Sequence, residues 1–217
     1  MPTIVITGGT GLIGKALAKA LLEKGYRIII LSRSSSDKTI RGNLSYATWN
    51  VEQQTIDKET IAAADYIIHL AGAGVADKRW TKKRKQEIIS SRVNSSKLIV
   101  DSLRTIPNNV KAVVSSSGIG WYLIPNPSPR SGEGSSSRKL EESDPPANDF
   151  IGSACKQWEE SIEPVTQLGK RLVKLRMGIV LSKEGGALKE FMKPLRFGIA
   201  TILGSGKQII SWIHMDD

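Results

Sequence analysis

The sequence predicts an α/β protein with a doubly wound parallel sheet, a Rossmann fold, followed by the start of a small C-terminal substrate-covering segment. Short β-branched segments alternate with helical patterns along most of the chain, as in βαβ units. The first of these segments leads directly into a glycine-rich turn and a helix. Hydrophobic residues make up 40% of the 217 residues, which is enough to build a large core.

Six buried strands are predicted, each from a short run of β-branched or other apolar residues. They lie at residues 3–7, 27–31, 45–49, 66–70 and 110–115, and within 172–181. A further apolar run at 209–213 is strand-like and precedes the last residue, Asp217. Predicted strands and helices therefore alternate along the chain up to residue 182, and this alternation stops after that residue.

Three helices are predicted between the strands. The first has one apolar face and ends at Gly25. Its apolar residues are Leu12, Ile13, Ala16, Leu17, Ala20 and Leu21. The second spans 81–103, and the third spans 150–163 and is stopped by Pro164. Residues 124–149 hold five of the nine prolines, so we expect a long loop there that is a lid, a binding loop or disordered.

Composition excludes several classes of protein. With the single cysteine Cys155, no internal disulfide can form, and one cysteine with two histidines makes a zinc site improbable. His214 beside Asp216 and Asp217 is too weak a set to predict a metal. No apolar run reaches membrane-spanning length and no leader peptide is visible, so we expect a cytoplasmic protein without a membrane partner.

The net charge of +10 raises the question of an anionic partner. Six cations cluster in one stretch: Lys78, Arg79, Lys82, Lys83, Arg84 and Lys85. The solvated start of a helix is favoured over a nucleic-acid patch, because no nucleic-acid-binding motif accompanies the stretch. No nucleic-acid partner is therefore predicted.

Residues 7–14 read Thr-Gly-Gly-Thr-Gly-Leu-Ile-Gly and predict a dinucleotide site. Gly9, Gly11 and Gly14 give the spacing G-x-G-x-x-G, and Gly8 can replace Gly9 in the related G-x-x-G-x-x-G. The string follows a strand and opens a helix, which is the context that the motif requires. Glycines permit a tight turn and close approach of backbone N–H groups to a pyrophosphate, and the helix N-terminus favours the negative charge. Thr10, Leu12 and Ile13 complete this predicted contact set.

The end of the second strand favours NADP over NAD. NAD-binding folds usually place an acid there to hold the ribose 2′-hydroxyl, whereas this chain has Ser32, Arg33 and Ser34, with no acid before Asp37. An arginine can hold a 2′-phosphate through charge-assisted hydrogen bonds. The alternative is that Arg33 is merely exposed.

The start of the chain resembles the extended short-chain dehydrogenases and the NAD-dependent epimerase/dehydratases. Nearly the whole chain resembles an atypical epimerase-like branch that carries a C-terminal domain of unknown function. The matching segments are residues 69–72 (His-Leu-Ala-Gly), 79–81 with 84–85, 91–93, 143–146 with 149–150, Cys155 with 158–159, 185–188, 204–206 and 212–214. Members of that branch continue beyond the last segment, and this chain does not.

The resemblance implies the remaining contacts of the cofactor. It places Leu70, Ala71 and Gly72 beside the ribose, and Trp49 and Asn50 on the adenine side. It places Ser115, Ser116 and Ser117 near the nicotinamide, at the end of the fifth predicted strand.

The resemblance also implies a departure from the chemistry of the wider superfamily, which uses a Tyr-x-x-x-Lys pair as acid/base and ribose anchor. Its tyrosine position falls at Ile151 and its lysine position at Cys155, and Lys156 is one residue late on another helix face. Arg92 occupies the position of an upstream asparagine. Ser117 is the best match to the catalytic serine. Tyr122 is a substitute acid or, more simply, a packing residue.

The function predicted from these observations is an NADP-binding, short-chain-dehydrogenase-like oxidoreductase or epimerase-type protein acting on an unknown small molecule. The alternative is a non-catalytic NADP-binding sensor or scaffold, which the missing Tyr–Lys pair favours. Residues 1–182 are predicted to form the NADP-binding domain, and residues 183–217 the truncated beginning of a substrate-binding segment. The oligomeric state is not predicted.

Overall fold

The computed structural model describes residues 1–34, 42–122, 140–199 and 210–217. Asp37, most of the predicted loop at 124–149 and the segment 204–206 therefore lie outside the described residues. The strands are β1 (Thr3–Thr7), β2 (Arg27–Ser32), β3 (Leu44–Asn50), β4 (Thr55–Ile56), β5 (Tyr66–His69), β6 (Ala112–Gly118), β7 (Arg171–Met177), β8 (Ile179–Ser182), β9 (Gly185–Gly186) and β10 (Trp212–His214). The helices are α1 (Leu12–Glu23), α2 (Lys58–Ala62), α3 (Lys82–Thr105), α4 (Phe150–Ile162) and α5 (Ala187–Met192).

The main sheet has seven strands in the order β4-β3-β2-β1-β5-β6-β7. Strand β1 pairs in parallel with both β2 and β5. Strands β2 to β4 therefore lie on one side of β1, and β5 to β7 lie on the other side. A reversal of this kind is the topological switch point at which doubly wound folds bind ligands, outside the carboxyl ends of the strands. The predicted fold class is confirmed.

Hydrophobic clusters lie on both faces of the sheet. On one face, Leu98, Ile99 and Leu103 of α3 pack with Val5 and Ile67 of the strands. On the other face, Ala18 of α1 packs with a second set of strand residues, Ile4, Ile6, Ile28 and Ile30. Because β1 contributes to both clusters, all five of its residues are buried.

Three features differ from the sequence prediction. Residues 172–181 form two strands rather than one, because the chain breaks at Gly178, where a Cβ would come within 2.8 Å of the Ser211 carbonyl oxygen. The strand near the end is Trp212–His214 rather than 209–213. The sequence pattern also missed β4, β9, α2 and α5, whose two to six residues are too few to show a period.

The chain divides into two compact units, which are described separately. One comprises residues 1–117 and 156–175 and contains β1 to β5, α1 to α3 and most of β6 and β7. The other comprises residues 118–155 and 176–217 and contains a small sheet in the order β10-β8-β9. The assignment of residues 183–217 to substrate binding remains a prediction.

Candidate functional site

The glycine turn lies at the switch point, between the end of β1 and the start of α1. Gly8 has a φ of +70°, which favours glycine, and its carbonyl oxygen accepts a hydrogen bond from the Gly11 N–H at 3.0 Å. A Cβ on Gly14 would lie 2.3 Å from that same oxygen. Gly14 therefore allows the first turn of α1 to rest on the loop, which is the close packing that the third glycine of the motif permits in dinucleotide-binding folds.

The N-terminus of α1 is built to receive an anion. Gly11 is its N-cap in an extended conformation (φ −76°, ψ 177°), without a side-chain cap and without an acid in the first turn. The first N–H groups of a helix have no partner within the helix, and the helix dipole adds partial positive charge. Gly11 and Thr10 are exposed, and of the atoms in the described part of the chain, a Cβ on Gly11 would meet only the Gly8 carbonyl oxygen within 4 Å, at 3.2 Å.

A buried threonine–histidine pair joins the two strands that flank the switch point. The Thr7 hydroxyl oxygen accepts hydrogen bonds from the backbone N–H groups of Leu70 and Ala71, each at 3.2 Å. The same oxygen lies 2.7 Å from His69 Nδ1. The predicted ribose-contacting backbone is thereby fixed to the end of β1, one residue before the glycine turn.

These contacts determine how the ring of His69 is protonated. Because Thr7 Oγ1 already accepts two N–H groups, its own hydrogen is directed to Nδ1, which must then be an acceptor. Nε2 consequently carries the ring hydrogen and faces the hydroxyls of Ser96 at 3.2 Å and Ser95 at 3.3 Å. Complete burial, followed by the charge of Arg92, lowers the pKa of His69 to about 3, so the ring is neutral.

Two arginines of α3 hold the loop that follows β5. Arg92, at the position of the superfamily's asparagine, donates to the Ala73 carbonyl oxygen at 2.9 Å, and its guanidinium lies 4.8 Å from the ring centroid of Trp158. Arg84 is buried and bonds the Gly74 carbonyl oxygen and Glu87. The expectation of a solvated cationic stretch is therefore wrong for Arg84, whose position on the inner face of α3 directs its charge to the loop.

Arg33 and Ser34 are exposed directly after β2, which lies beside β1 in the sheet, and Ser32 is half-buried. At the end of β3, Trp49 is only 5% exposed because it packs in the core with Ile61 and Leu103. The Asn50 carboxamide oxygen accepts from the N–H groups of Glu52 and Gln53, both at 3.0 Å. Any adenine contact in this region would therefore fall to exposed backbone or to Asn50 rather than to the indole of Trp49.

The three serines predicted near the nicotinamide are buried at the end of β6. Ser115 donates to the Ser116 carbonyl oxygen, and Ser116 donates to the His69 carbonyl oxygen at 3.3 Å. Ser117 instead donates to Glu159 Oε1 of α4 at 2.6 Å. Ser117 thus differs from the other two serines, because its hydroxyl donates to an ionisable side chain and theirs donate to backbone carbonyl oxygens.

Tyr122 belongs to a different set of contacts. Its hydroxyl accepts a hydrogen bond from Arg176 at 2.8 Å, and the same guanidinium lies 3.9 Å from the ring centroid of Trp121. Trp121 in turn donates to the Asp144 carbonyl oxygen. This arrangement favours the packing interpretation of Tyr122, and its role as an acid remains a prediction.

The two positions of the missing Tyr–Lys pair are occupied by packing residues. A Cβ on Gly120 would meet the Ile151 side chain at close range, and the Cys155 thiol lies 3.7 Å from the Gly118 carbonyl oxygen. The thiol is buried. Along α4, Glu159 follows one turn after Cys155 on the same face.

Sequence reasoning missed Thr7, Glu159 and the role of His69. Each of these residues lies in a matched segment or at a strand end, but its hydrogen-bond partner is far away in the chain. Thr7 and His69 are 62 residues apart, and Glu159 is 42 residues from Ser117. Within the described ranges, no three potential metal ligands of the His, Cys, Asp and Glu types come together. The helices in those ranges include none that is long and apolar enough to cross a membrane.

Known proteins resemble this chain in sequence and in fold. The sequence profile of the NAD dependent epimerase/dehydratase family matches residues 4–148. An epimerase family protein of Staphylococcus saprophyticus is 34% identical over 217 residues, which cover 100% of this chain and 68% of the relative.

Two solved structures are also similar over the whole chain. A human epimerase family protein crystallised with NADPH has a TM-score of 0.77 and 26% identity, over 99% of this chain and 66% of that one. The nucleoside-diphosphate sugar epimerase of Corynebacterium glutamicum has a TM-score of 0.77 and 27% identity, over 100% of this chain and 42% of that one. About a third of the human protein and more than half of the bacterial one have no counterpart here.

Proposed function

We propose that this chain, which belongs to the NAD-dependent epimerase/dehydratase family, is an NADP-binding oxidoreductase or epimerase-type protein that acts on a small molecule. The observation that carries the proposal is the uncapped, acid-free N-terminus of α1 behind the glycine turn at the switch point. A pyrophosphate is the group for which this arrangement provides donors and favourable charge.

The residues at this edge fit a dinucleotide. The exposed Thr10 and Gly11 would hold the pyrophosphate with their backbone, since among the described residues only the Gly8 carbonyl oxygen approaches the Cβ position of Gly11. Leu70 and Ala71 would present backbone to a ribose in a position that Thr7 fixes by accepting both of their N–H groups. When bound, a nicotinamide cofactor supplies hydride transfer.

The preference for NADP over NAD rests on Arg33 and on the human relative, whose structure contains NADPH. The guanidinium is exposed just beyond β2, and the described residues 32–34 include no carboxylate that would repel a 2′-phosphate. An arginine binds such a phosphate through two parallel charge-assisted hydrogen bonds.

A non-catalytic NADP-binding sensor or scaffold is the second candidate. Ile151 and Cys155 favour it, because neither side chain can act as the phenol or the ammonium of the superfamily's pair. Turnover of a carbonyl panel, followed by NADPH absorbance, separates the two candidates. A sensor would bind the cofactor and leave its absorbance unchanged.

The proposed function is tested by calorimetric titration of the purified chain with NADPH and NADP⁺, together with mass spectrometry of any nucleotide that co-purifies. We expect one dinucleotide for each chain. The absence of binding for both the reduced and the oxidised forms would contradict the proposal.

A further inference from the structure

We propose that Ser117 and Glu159 form a proton relay, with Lys174 as the charge partner of Glu159, that does the proton-handling work of the missing Tyr–Lys pair. This inference rests on the proposed function, because the relay serves hydride transfer at a bound nicotinamide. It assigns a role to a buried carboxylate that nothing else in the site requires.

The relay begins with a short, buried hydrogen bond between Ser117 and Glu159. Ser117 Oγ donates to Glu159 Oε1 at 2.6 Å, and each of the two residues is only 4% exposed. That distance is within the range of hydroxyl–carboxylate hydrogen bonds, which are about twice as strong as bonds between neutral groups. The single hydrogen of Ser117 is thereby committed to Glu159, and the serine oxygen retains a lone pair that can accept a proton from another group.

The carboxylate lies on the same helix face as the two positions of the missing pair. Ile151, Cys155 and Glu159 follow one another at intervals of four residues along α4, so they share one face of the helix. Glu159 therefore lies one turn beyond Cys155, the position that the resemblance to the wider superfamily assigns to the lysine. Of these three residues, Glu159 is the one with a carboxyl group, which can take up and release a proton.

A charge partner explains how the carboxylate is tolerated in the interior. A buried carboxylate is costly unless it is paired and hydrogen-bonded. Lys174 Nζ lies 3.8 Å from Glu159 Oε2 and 2.7 Å from Oε2 of the more exposed Glu163. The side chain of Lys174 is 33% exposed, so the carboxylate is connected on one side to a buried hydroxyl and on the other to a group in contact with solvent.

The proton balance is simple. When a substrate alcohol is oxidised, the hydride leaves its carbon for the oxidised cofactor of the proposed function. The substrate O–H bond breaks as its proton joins Ser117 Oγ, while the original Ser117 proton moves to Glu159 Oε1. The carboxylate thus becomes a carboxylic acid, and the reverse sequence protonates the oxygen of a carbonyl during reduction.

The test compares Glu159→Gln and Ser117→Ala with Ser117→Thr, which keeps the hydroxyl, and with the control Glu160→Gln. Glu160 is on the same helix, is exposed and forms an ion pair with Lys156 at 3.8 Å. Single-turnover oxidation of bound NADPH by 9,10-phenanthrenequinone gives the rate, and NADPH titration gives the affinity. We expect both relay variants to lower the rate by about ten-fold or more with little change in affinity, and Ser117→Thr to restore most of it.

A second readout is independent of turnover. In protein labelled at the glutamate carboxyl carbon, the resonance that disappears in Glu159→Gln should shift in Ser117→Ala and stay in place in Glu160→Gln. The relay is overturned if Ser117→Ala leaves that resonance unmoved, if the relay variants react as fast as the control, or if the parent binds NADPH without any turnover. Failure to bind NADPH at all would instead defeat the proposed function, on which the relay depends.

Discussion

The hydroxyl of Thr7 lies 2.7 Å from Nδ1 of His69, and this contact joins the carboxyl ends of β1 and β5 on the buried side of the switch point. The Thr7 oxygen also accepts the N–H groups of Leu70 and Ala71. One neutral histidine thus positions the backbone proposed for the ribose relative to the glycine turn. The arrangement requires an unprotonated ring, and this requirement leads to a prediction about pH.

We predict that His69 makes the fold less stable in acid. The folded pKa is about 3, whereas the unfolded value is near the ordinary 6.5. Above pH 6.5 the ring is neutral in both states. Between pH 6.5 and 3 only the unfolded chain takes up the proton, so stability falls as the pH falls. The contribution of this group at pH 4.5 is on the order of 2–3 kcal/mol.

Urea unfolding at pH 7 and pH 4.5 measures this effect in the parent and in His69→Asn. The free energy of unfolding should fall more steeply with acid in the parent than in the variant. His214→Asn removes the other histidine of the chain, whose side chain is exposed, and is the matched control for the loss of an imidazole. Parallel pH dependences for the parent and His69→Asn would show that His69 is not buried as a neutral ring.

Gly11 and Gly14 should respond differently to substitution. A Cβ on Gly11 would meet the Gly8 carbonyl oxygen at 3.2 Å, whereas a Cβ on Gly14 would lie 2.3 Å from that oxygen and 2.6 Å from the Gly9 Cα. We expect Gly11→Val to abolish NADPH binding while the fold survives, because the branched side chain occupies the space proposed for the pyrophosphate. Gly14→Ala should instead destabilise the fold.

Calorimetry with NADPH and thermal unfolding measured by circular dichroism distinguish these two effects. Gly11→Val should keep a cooperative transition near that of the parent, and Gly14→Ala should unfold at a clearly lower temperature. Normal NADPH binding by a folded Gly11→Val variant would place the dinucleotide elsewhere.

A lysine at position 155, where the superfamily has one, is expected to destabilise the fold rather than to create a reductase. Cys155 is 7% exposed, and its thiol lies against the Gly118 carbonyl oxygen. A lysine there must bury a charged ammonium, which is costly without a partner. We expect Cys155→Lys to lower the thermal stability markedly, and the double change Ile151→Tyr/Cys155→Lys not to raise the rate of carbonyl reduction above that of the parent in the NADPH absorbance assay.

Cys155→Ser is the control for loss of the thiol itself and should be much milder than Cys155→Lys. A stable double variant with brisk carbonyl reduction would show that the pair's positions are open to solvent and cofactor. That result would also remove the need for another proton donor.

The sequence was sufficient to predict the sheet and the glycine turn, because both depend on local signals. Periodicity gave β1, β2 and α1, and the spacing of Gly8, Gly11 and Gly14 marked the turn between them. The contacts of Ser117 and His69 could not be predicted, because Glu159 and Thr7 lie 42 and 62 residues away from them. Arg84 shows the same limit: its charge suggested solvent, and its position on α3 placed it against a backbone carbonyl instead.

The proposed preference for NADP depends on Arg33, which is exposed directly after β2. Arg27 begins the same strand, at the opposite edge of the sheet, and is also exposed. Arg33→Asp and Arg27→Asp therefore make the same change in net charge at the two ends of one strand. Loss of a charge-assisted contact costs about 1.5–3 kcal/mol, which corresponds to about ten-fold or more in affinity.

The most direct measurement is the titration of the parent, Arg33→Asp and Arg27→Asp with NADPH and with NADH under the same conditions. We predict that the parent binds NADPH about ten-fold or more tightly than NADH, that Arg33→Asp loses this preference, and that Arg27→Asp keeps it. Equal affinities of the parent for the two cofactors, or a preference that survives in Arg33→Asp, would contradict the account.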